Sequence, residues 1–378
     1  MSDASHPFLP PGTPLLRDGT TGLQVGGVDT TDGMLLGPDG AGVASLLRGL
    51  DGRRPQRTVL DDAARSGLDP GGVVSVLDRL RAVGLLVDLD AADLLAAPAG
   101  PAASARTATE LPAALSPAPG AWRTRRNAVV VVEGATRVGA PLAAMLAASG
   151  VGRVSVSDPG LTGAADAVVG GLSAADEGRP RALAAADAVR RANPLTDLRP
   201  LPPGVRADLV VLARPWAASD PLVLGVQRAG VPHLVAAVRG ETGVIGPLVV
   251  PGATSCLRCG DLHRRDADPR WPRLAAQLTA GDTPPSGATV TCLLTAATAA
   301  LQVLAFLDGT AAPATLDATL ELRPPNLLPR VRRWPAHPAC DCGAAAVVPP
   351  VTGWTTRSGD STAPHPGAEG PRQGTMGG

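Results

Sequence analysis

Apolar positions in this chain follow two patterns. Between residues 14 and 90 they first come in short runs, Leu15-Leu16, Leu23-Gln-Val25 and Met34-Leu-Leu36, separated by Asp-Gly, Gly-Gly and Asp-Gly pairs. Runs of this kind predict short strands joined by tight turns. Helical spacing then takes over. Residues 43–50 form a short helix stopped by Asp51-Gly52, and residues 58–66 form a second, closed by Gly67. Asp69-Pro70 supplies an N-cap followed by proline at the first helical position, and Val73, Val76, Leu77, Leu80 and Val83 follow along one face until Gly84. The pair Leu85-Leu86 with Val87 reads as a closing strand. Three short helices with a small sheet predict a winged-helix-like α+β domain over residues 1–90.

The second pattern begins near residue 123. Four consecutive valines, Val129, Val130, Val131 and Val132, fit a strand buried on both faces. A glycine turn follows between Gly134 and Gly139. A helix then runs through Leu142, Met145 and Leu146 to Gly150, and a strand, Val154-Ser-Val156-Ser, stops at Asp158. Strand, glycine turn, helix, strand and an acid about 20 residues beyond the turn form the arrangement that holds a nucleotide. The middle glycine of the fingerprint is Thr136 here, and a Cβ at that point obstructs the close approach of a pyrophosphate. Two readings stand side by side: nucleotide binding, or the same unit kept for its architecture.

Helices over 181–192 and 222–229 alternate with strands over 208–212, 233–236 and 244–250. This predicts an α/β domain over 123–343, with a largely parallel, doubly wound sheet. Residues 91–122, rich in Ala, Pro and Ser, read as a linker, and residues 344–378 as a disordered tail. Residues 287–307 carry no charge and have the length of a membrane span. Their four threonines and Gln302, between Asp/Pro-rich loops, predict a buried helix instead.

Composition alters this picture in a few places. The 34 basic and 34 acidic residues cancel, so no global charge points to nucleic acid or a membrane surface. Every basic residue is arginine, so no step can use a lysine. The third helix carries only Arg79 and Arg81, too little for a phosphate-binding face, so the N-terminal domain is expected to bind peptide rather than DNA. The first residues have neither a basic n-region nor an apolar h-region, which predicts a cytoplasmic protein.

Five cysteines are too few for a disulfide scaffold. Cys256-Leu-Arg-Cys259 and Cys340-Asp-Cys342 form two close pairs that together can supply a tetrahedral thiolate site for one structural zinc. The C-x-C spacing is tighter than usual, and four unrelated thiols is the alternative. His337 is a further candidate ligand or a plain loop residue. Cys292, inside the uncharged segment, reads as a core residue.

These motifs resemble the ThiF/MoeB/HesA superfamily, the ubiquitin-activating-type fold. The resemblance rests on Gly134-Ala-Thr-Arg-Val-Gly139, Ala148-Ser-Gly-Val-Gly152, Asp158, Arg191-Ala-Asn193-Pro194, Gly230-Val-Pro232, Gly240-Glu-Thr-Gly243, and Pro251-Gly252 ahead of Cys256. Ala300-Leu301-Gln302 with Asp308-Gly309 matches its long helix behind the sheet. The resemblance implies a Rossmann-type sheet, ATP and magnesium as cofactors, adenylation of the C-terminus of a small protein or peptide, and a homodimer. Gly134, Gly139, Asp158 and Arg181 are the implied nucleotide-binding residues. The departures fall on the catalytic positions. Pro159-Gly160 follows Asp158 where a second acid is expected, Arg181 stands for the family's lysine, and Ala213-Arg214-Pro215 stands where a magnesium-binding aspartate is expected. No residue of this chain is therefore assigned a catalytic role.

A narrower resemblance covers both halves. Winged helix, linker and degenerate ThiF-like domain is the layout of the partner proteins of YcaO-type cyclodehydratases in bacteriocin-like azoline peptide pathways. The segments around Cys256 to His263, Asp268-Pro-Arg-Trp271-Pro272 and His337 to Cys342 are similar to that subgroup. It implies a leader peptide gripped by the winged helix, near Arg79, Arg81, Leu85 and Val87, and a separate ATP-consuming subunit. A true adenylyltransferase is the alternative. An NAD-dependent oxidoreductase is a more distant one, since Thr136 interrupts the dinucleotide turn.

Overall fold

The computed structural model describes residues 5–19, 22–28, 33–37, 40–89, 110, 120–202, 204–277, 286–309 and 311–344. The expected tail (344–378) and linker (91–122) lie almost wholly outside them.

In the N-terminal part, β2 (Leu15–Asp18), β3 (Gly22–Val25) and β4 (Met34–Leu36) form an antiparallel sheet in the order β2-β3-β4. Helices α1 (Gly40–Arg48), α2 (Gln56–Arg65) and α3 (Pro70–Ala82) follow. Leu23, Val25, Leu36, Leu47, Val59, Leu77 and Leu80 share one buried cluster, so the alternation of the strands and the apolar stripe of α3 meet as their spacing requires. Asp69 caps α3 by accepting from the Gly72 amide at 2.7 Å, with Pro70 at the first position.

The strand expected at Leu85 begins two residues later. Gly84 takes a left-handed φ of 76°, and the Leu85 and Leu86 amides both turn back to the Leu80 carbonyl, at 2.9 and 3.2 Å. This closure of α3 delays the ladder until β5 (Val87–Leu89), which pairs with β1 (His6–Phe8) and not with the three-stranded sheet. β1 carries a proline in three residues and gives no strand pattern.

The C-terminal part is built on a seven-stranded sheet. Its strands are β6 (Val129–Glu133), β7 (Arg153–Ser157), β8 (Leu209–Leu212), β9 (His233–Arg239), β10 (Thr242–Val249), β11 (Ala318–Leu322) and β12 (Pro329–Arg333), in the order β12-β11-β10-β9-β8-β6-β7. β7, β6, β8 and β9 are parallel; β10, β11 and β12 are added antiparallel. The sheet is thus mixed rather than largely parallel.

The other helices are α4 (Ala121–Asn127), α5 (Gly139–Ala148), α6 (Arg181–Ala192), α7 (Pro221–Arg228), α8 (Leu257–Ala267), α9 (Trp271–Gln277) and α10 (Thr289–Asp308). Helices cover both faces of the sheet. Val130, Val132, Val211 and Leu234 point to α5 and α10, while Val210, Leu212 and Val235 point to α7 and the start of α8. The uncharged segment is α10. It is long and apolar enough to cross a membrane, but Cys292, Thr295, Ala296, Ala299 and Val303 are spent against the sheet and α5, as expected of a core helix.

Behind the sheet, Arg125 of α4 and Asp308 at the end of α10 form a buried two-pronged ion pair, each side chain less than 5% exposed. Asn193 joins α6 to α5 through the Ala147 carbonyl, at 2.8 Å. That accounts structurally for the Asn-Pro pair singled out in the sequence.

Candidate functional site

The chain leaves β6 toward β7 on one side and later returns to β8 on the other. A crevice therefore opens at the C-terminal ends of these strands, where open α/β sheets bind ligands. A cavity of about 530 Å³ lies there. Its lining includes the expected Gly134, Asp158 and Arg181 with Thr136.

Gly134 holds a φ of 111°, and a Cβ on Gly139 would meet the Gly134 carbonyl at 1.9 Å. Both glycines are thus required by the turn itself, whatever it binds. Thr136 does more than fill the space of the missing glycine. Its hydroxyl donates to the Ala213 carbonyl at 2.7 Å and accepts from the Gly139 and Val138 amides at 3.1 and 3.3 Å. The Asp158 carboxylate accepts from the Ala135 amide at 2.9 Å and from the Gly160 amide at 2.8 Å. The Gly134 amide goes to the Ser157 carbonyl, at 2.8 Å. The amides of Gly134, Ala135, Val138 and Gly139 are therefore partnered within the protein rather than held out for phosphate.

Arg181 donates to the buried Asp166 through Nε at 3.0 Å and Nη2 at 2.8 Å, and its Nη1 stands 4.0 Å from Asp158. β8 delivers Ala213 and Arg214, and Arg214 pairs with Asp220 at 3.1 Å. Arg137 is tied to the Gly287 carbonyl and the Thr289 hydroxyl, each at 2.7 Å. Three carboxylates (Glu133, Asp158, Asp166) line the crevice with three guanidiniums (Arg137, Arg181, Arg214), so its formal charge is balanced. Burial raises the Glu133 carboxyl above the ordinary range, against the pull of the Ser157 hydrogen bond and Arg214. Sequence reading passed over Glu133, Arg137 and Asp166, because nothing in their spacing sets them apart from surface charges. Cys292 also lines the cavity, beside Arg137, but is fully buried and its thiol is raised by burial.

The four expected thiols do converge. Cys256 and Cys259 open α8 and are buried, while Cys340 and Cys342 arrive on the loop after β12. The Cys256–Cys259, Cys256–Cys340 and Cys259–Cys342 sulfur separations are 3.9, 3.6 and 3.6 Å, and all four sulfurs lie within 4.8 Å of one another. A tetrahedral tetrathiolate zinc with bonds of about 2.3 Å sets its sulfurs about 3.8 Å apart, and a disulfide needs about 2 Å. The arrangement fits zinc and leaves no thiolate position open. His337 is not among these groups. Its Nε2 meets Asp266 at 2.8 Å, and its Nδ1 accepts from the Ala339 amide at 3.1 Å.

At the N-terminal part the expected peptide contacts separate. Arg81 is drawn inward to Asp88 at 2.7 Å, Gln56 at 2.7 Å and Asp78 at 2.9 Å. The hydrogen bond to Asp88 raises its pKa further. Val87 lies in the β1–β5 pair, and Leu85 packs on the helical cluster. Arg79 is exposed and reaches the Leu35 carbonyl of β4 at 3.4 Å. Arg79 is thus set beside an edge strand, while Arg81, Leu85 and Val87 are not grouped with it.

The fold and sites define an α/β protein with a nucleotide-type crevice and a four-thiol centre. The ThiF family model matches residues 118–344, more than half of the chain. The chain belongs to the ThiF family. Among solved structures it is similar to E. coli MccB with ATP, with 16% identity, a TM-score of 0.59, and coverage of 89% of this chain and 99% of that one. The microcin C7 biosynthetic enzyme MccB in complex with N-formylated MccA matches at 16% identity and TM-score 0.58, over 89% and 99% of the two chains. The heterocyclase TruD matches at 16% identity and TM-score 0.55, over 90% of this chain but 43% of its own. At such identity the shared property is the fold. No curated protein matches the sequence.

Proposed function

We propose that this protein is the peptide-binding scaffold partner of a YcaO-type cyclodehydratase in bacteriocin-like peptide modification, with a degenerate ATP site and no adenylation of its own. The observation that carries the reading is the closed glycine turn. Thr136 and Asp158 take up its Ala135, Val138 and Gly139 amides, and Arg214 stands where a metal between phosphates needs a carboxylate. More than half of TruD, a heterocyclase, has no counterpart here, which fits catalysis on a separate chain.

In this reading residues 1–90 are a winged-helix-like recognition domain. A leader peptide adds to the β4 edge beside α3, with Arg79 meeting its acidic residues. One zinc held by Cys256, Cys259, Cys340 and Cys342 ties the start of α8 to the end of the domain. The exposed stripe of Val290, Leu294 and Leu301 on α10 favours a homodimer. The setting is the cytoplasm.

An ATP-dependent adenylyltransferase is the second reading, favoured by the match to nearly the whole of MccB in its ATP complex and by the crevice itself. Adding the purified protein to a YcaO-type enzyme with its precursor peptide tests the proposal. ATP consumption by the mixture should rise well above that of the enzyme alone. No stimulation, with turnover by this chain alone, favours the second reading.

A further inference from the structure

The strand order ends on β12, a five-residue segment, Pro-Arg-Val-Arg-Arg, in which every residue is exposed. We propose that β12 is a docking strand for an extended segment of alternating acidic and apolar residues from a partner protein, which joins the sheet as an added edge strand.

The backbone supplies the first argument. Among the described residues β12 pairs with β11 alone, Arg333 opposite Ala318 and Arg332 opposite Thr319. One residue beyond, the Trp334 amide donates to the Asp317 carbonyl at 2.7 Å. In an antiparallel ladder, hydrogen-bonded and non-hydrogen-bonded pairs alternate, so Arg330 and Arg332 face β11 with their amides and carbonyls. The N–H and C=O groups of Val331 and Arg333 therefore point off the sheet, where a further strand would meet them.

Charge supplies the second. In a chain of zero net charge, β12 holds three arginines and no acid. Among the described residues none of Arg330, Arg332 and Arg333 has a carboxylate partner, and Glu321 beside them is taken by Arg323 at 2.6 Å. Arg332 is held over the Trp334 ring at 4.1 Å, with Arg264 over the same ring at 4.2 Å, so this positive charge is fixed in place. A depression of about 320 Å³ runs along Glu321, Arg323, Arg330, Val331 and Arg332.

The two faces of the strand decide the occupant. Arg330 and Arg332 lie on one face, and Val331, 57% exposed, lies on the other with Arg333 at the strand's end. An added strand would set acids against the arginines and apolar residues against Val331. A second copy of this chain would instead bring arginine rows together, which like-charge repulsion opposes.

The test uses the full chain and a fluorescent peptide of alternating Glu and Val, followed by anisotropy. Val331→Pro removes one outward N–H without touching a ladder bond, and Arg330→Glu reverses one charge. Each should weaken binding about tenfold or more while melting temperature and zinc content stay unchanged. A peptide of alternating Glu and Pro should bind far more weakly. The proposal fails if the Glu/Val peptide does not bind, if the proline peptide binds equally, or if Val331→Pro has no effect. It also fails if duplex DNA is bound in preference, or if Val331→Pro halves the mass in sedimentation.

Discussion

The Thr136 hydroxyl accepts a hydrogen bond from the Gly139 amide at 3.1 Å, across the turn where a dinucleotide fold keeps its amides free for phosphate. A side chain of this protein occupies the donors that a ligand would use. Thr136→Gly should release them at a cost of roughly a few tenths of a kcal/mol in stability, since glycine replaces a threonine cap cheaply. The variant should then bind nucleotide more tightly than the parent in a calorimetric titration. An unchanged or weaker affinity would mean that Thr136 does not close the turn.

Zinc should be present at one equivalent per chain. Cys256→Ala and Cys340→Ala should each lose it, and the C-terminal part should lose its cooperative melting, because coordination is also folding energy. Elemental analysis of the purified variants checks this. Full retention in both would remove the site.

The buried Arg125–Asp308 pair joins α4 to α10 with both side chains almost fully enclosed. Breaking it by Asp308→Ala leaves an uncompensated guanidinium, a cost of about 3–5 kcal/mol in denaturant unfolding. Arg125→Met with Asp308→Leu should recover much of that loss. Equal destabilisation by the double variant would show that packing, not charge, sets the cost.

His233 is fully buried at the start of β9, and its Nδ1 meets the Val231 carbonyl at 3.0 Å. Burial lowers its pKa below the ordinary 6.5. The folded protein therefore holds fewer protons on this ring than the unfolded chain once the pH falls below that value. Stability falls as pH drops through the window, by at most about 1.4 kcal/mol per unit. His233→Phe should remove this component between about pH 7 and pH 5, where the ordinary histidine titrates. Identical pH profiles for the two proteins would assign the acid sensitivity elsewhere.

Much of this architecture is legible in the chain. The valine run, the two glycines and the Asp158 spacing place β6, α5 and β7, and the Cys256 and Cys340 pairs meet as their spacing suggests. What local pattern cannot carry is the outcome of long-range pairing. β12 carries no strand pattern of its own because its strand character comes from β11, and β1 none because its partner lies about eighty residues away in sequence. Arg81 looks like a free cation on α3 until the fold brings Asp88 and Gln56 to it. Thr136 is visible as a departure, but the bonds its hydroxyl makes with Ala213 and Gly139 are not.

We propose that the crevice does not support adenylyl transfer. Such transfer needs a metal between the phosphates and cations that reach the developing charge, and losing two contacts at a few kcal/mol each lowers the rate by several orders of magnitude. Arg214 is paired with Asp220, and Arg181 with Asp166. The direct measurement is ATP–pyrophosphate exchange by the purified full chain with magnesium and candidate precursor peptides. The account predicts no exchange above background. Robust exchange, abolished by Asp158→Ala, would contradict it and make the protein an adenylyltransferase.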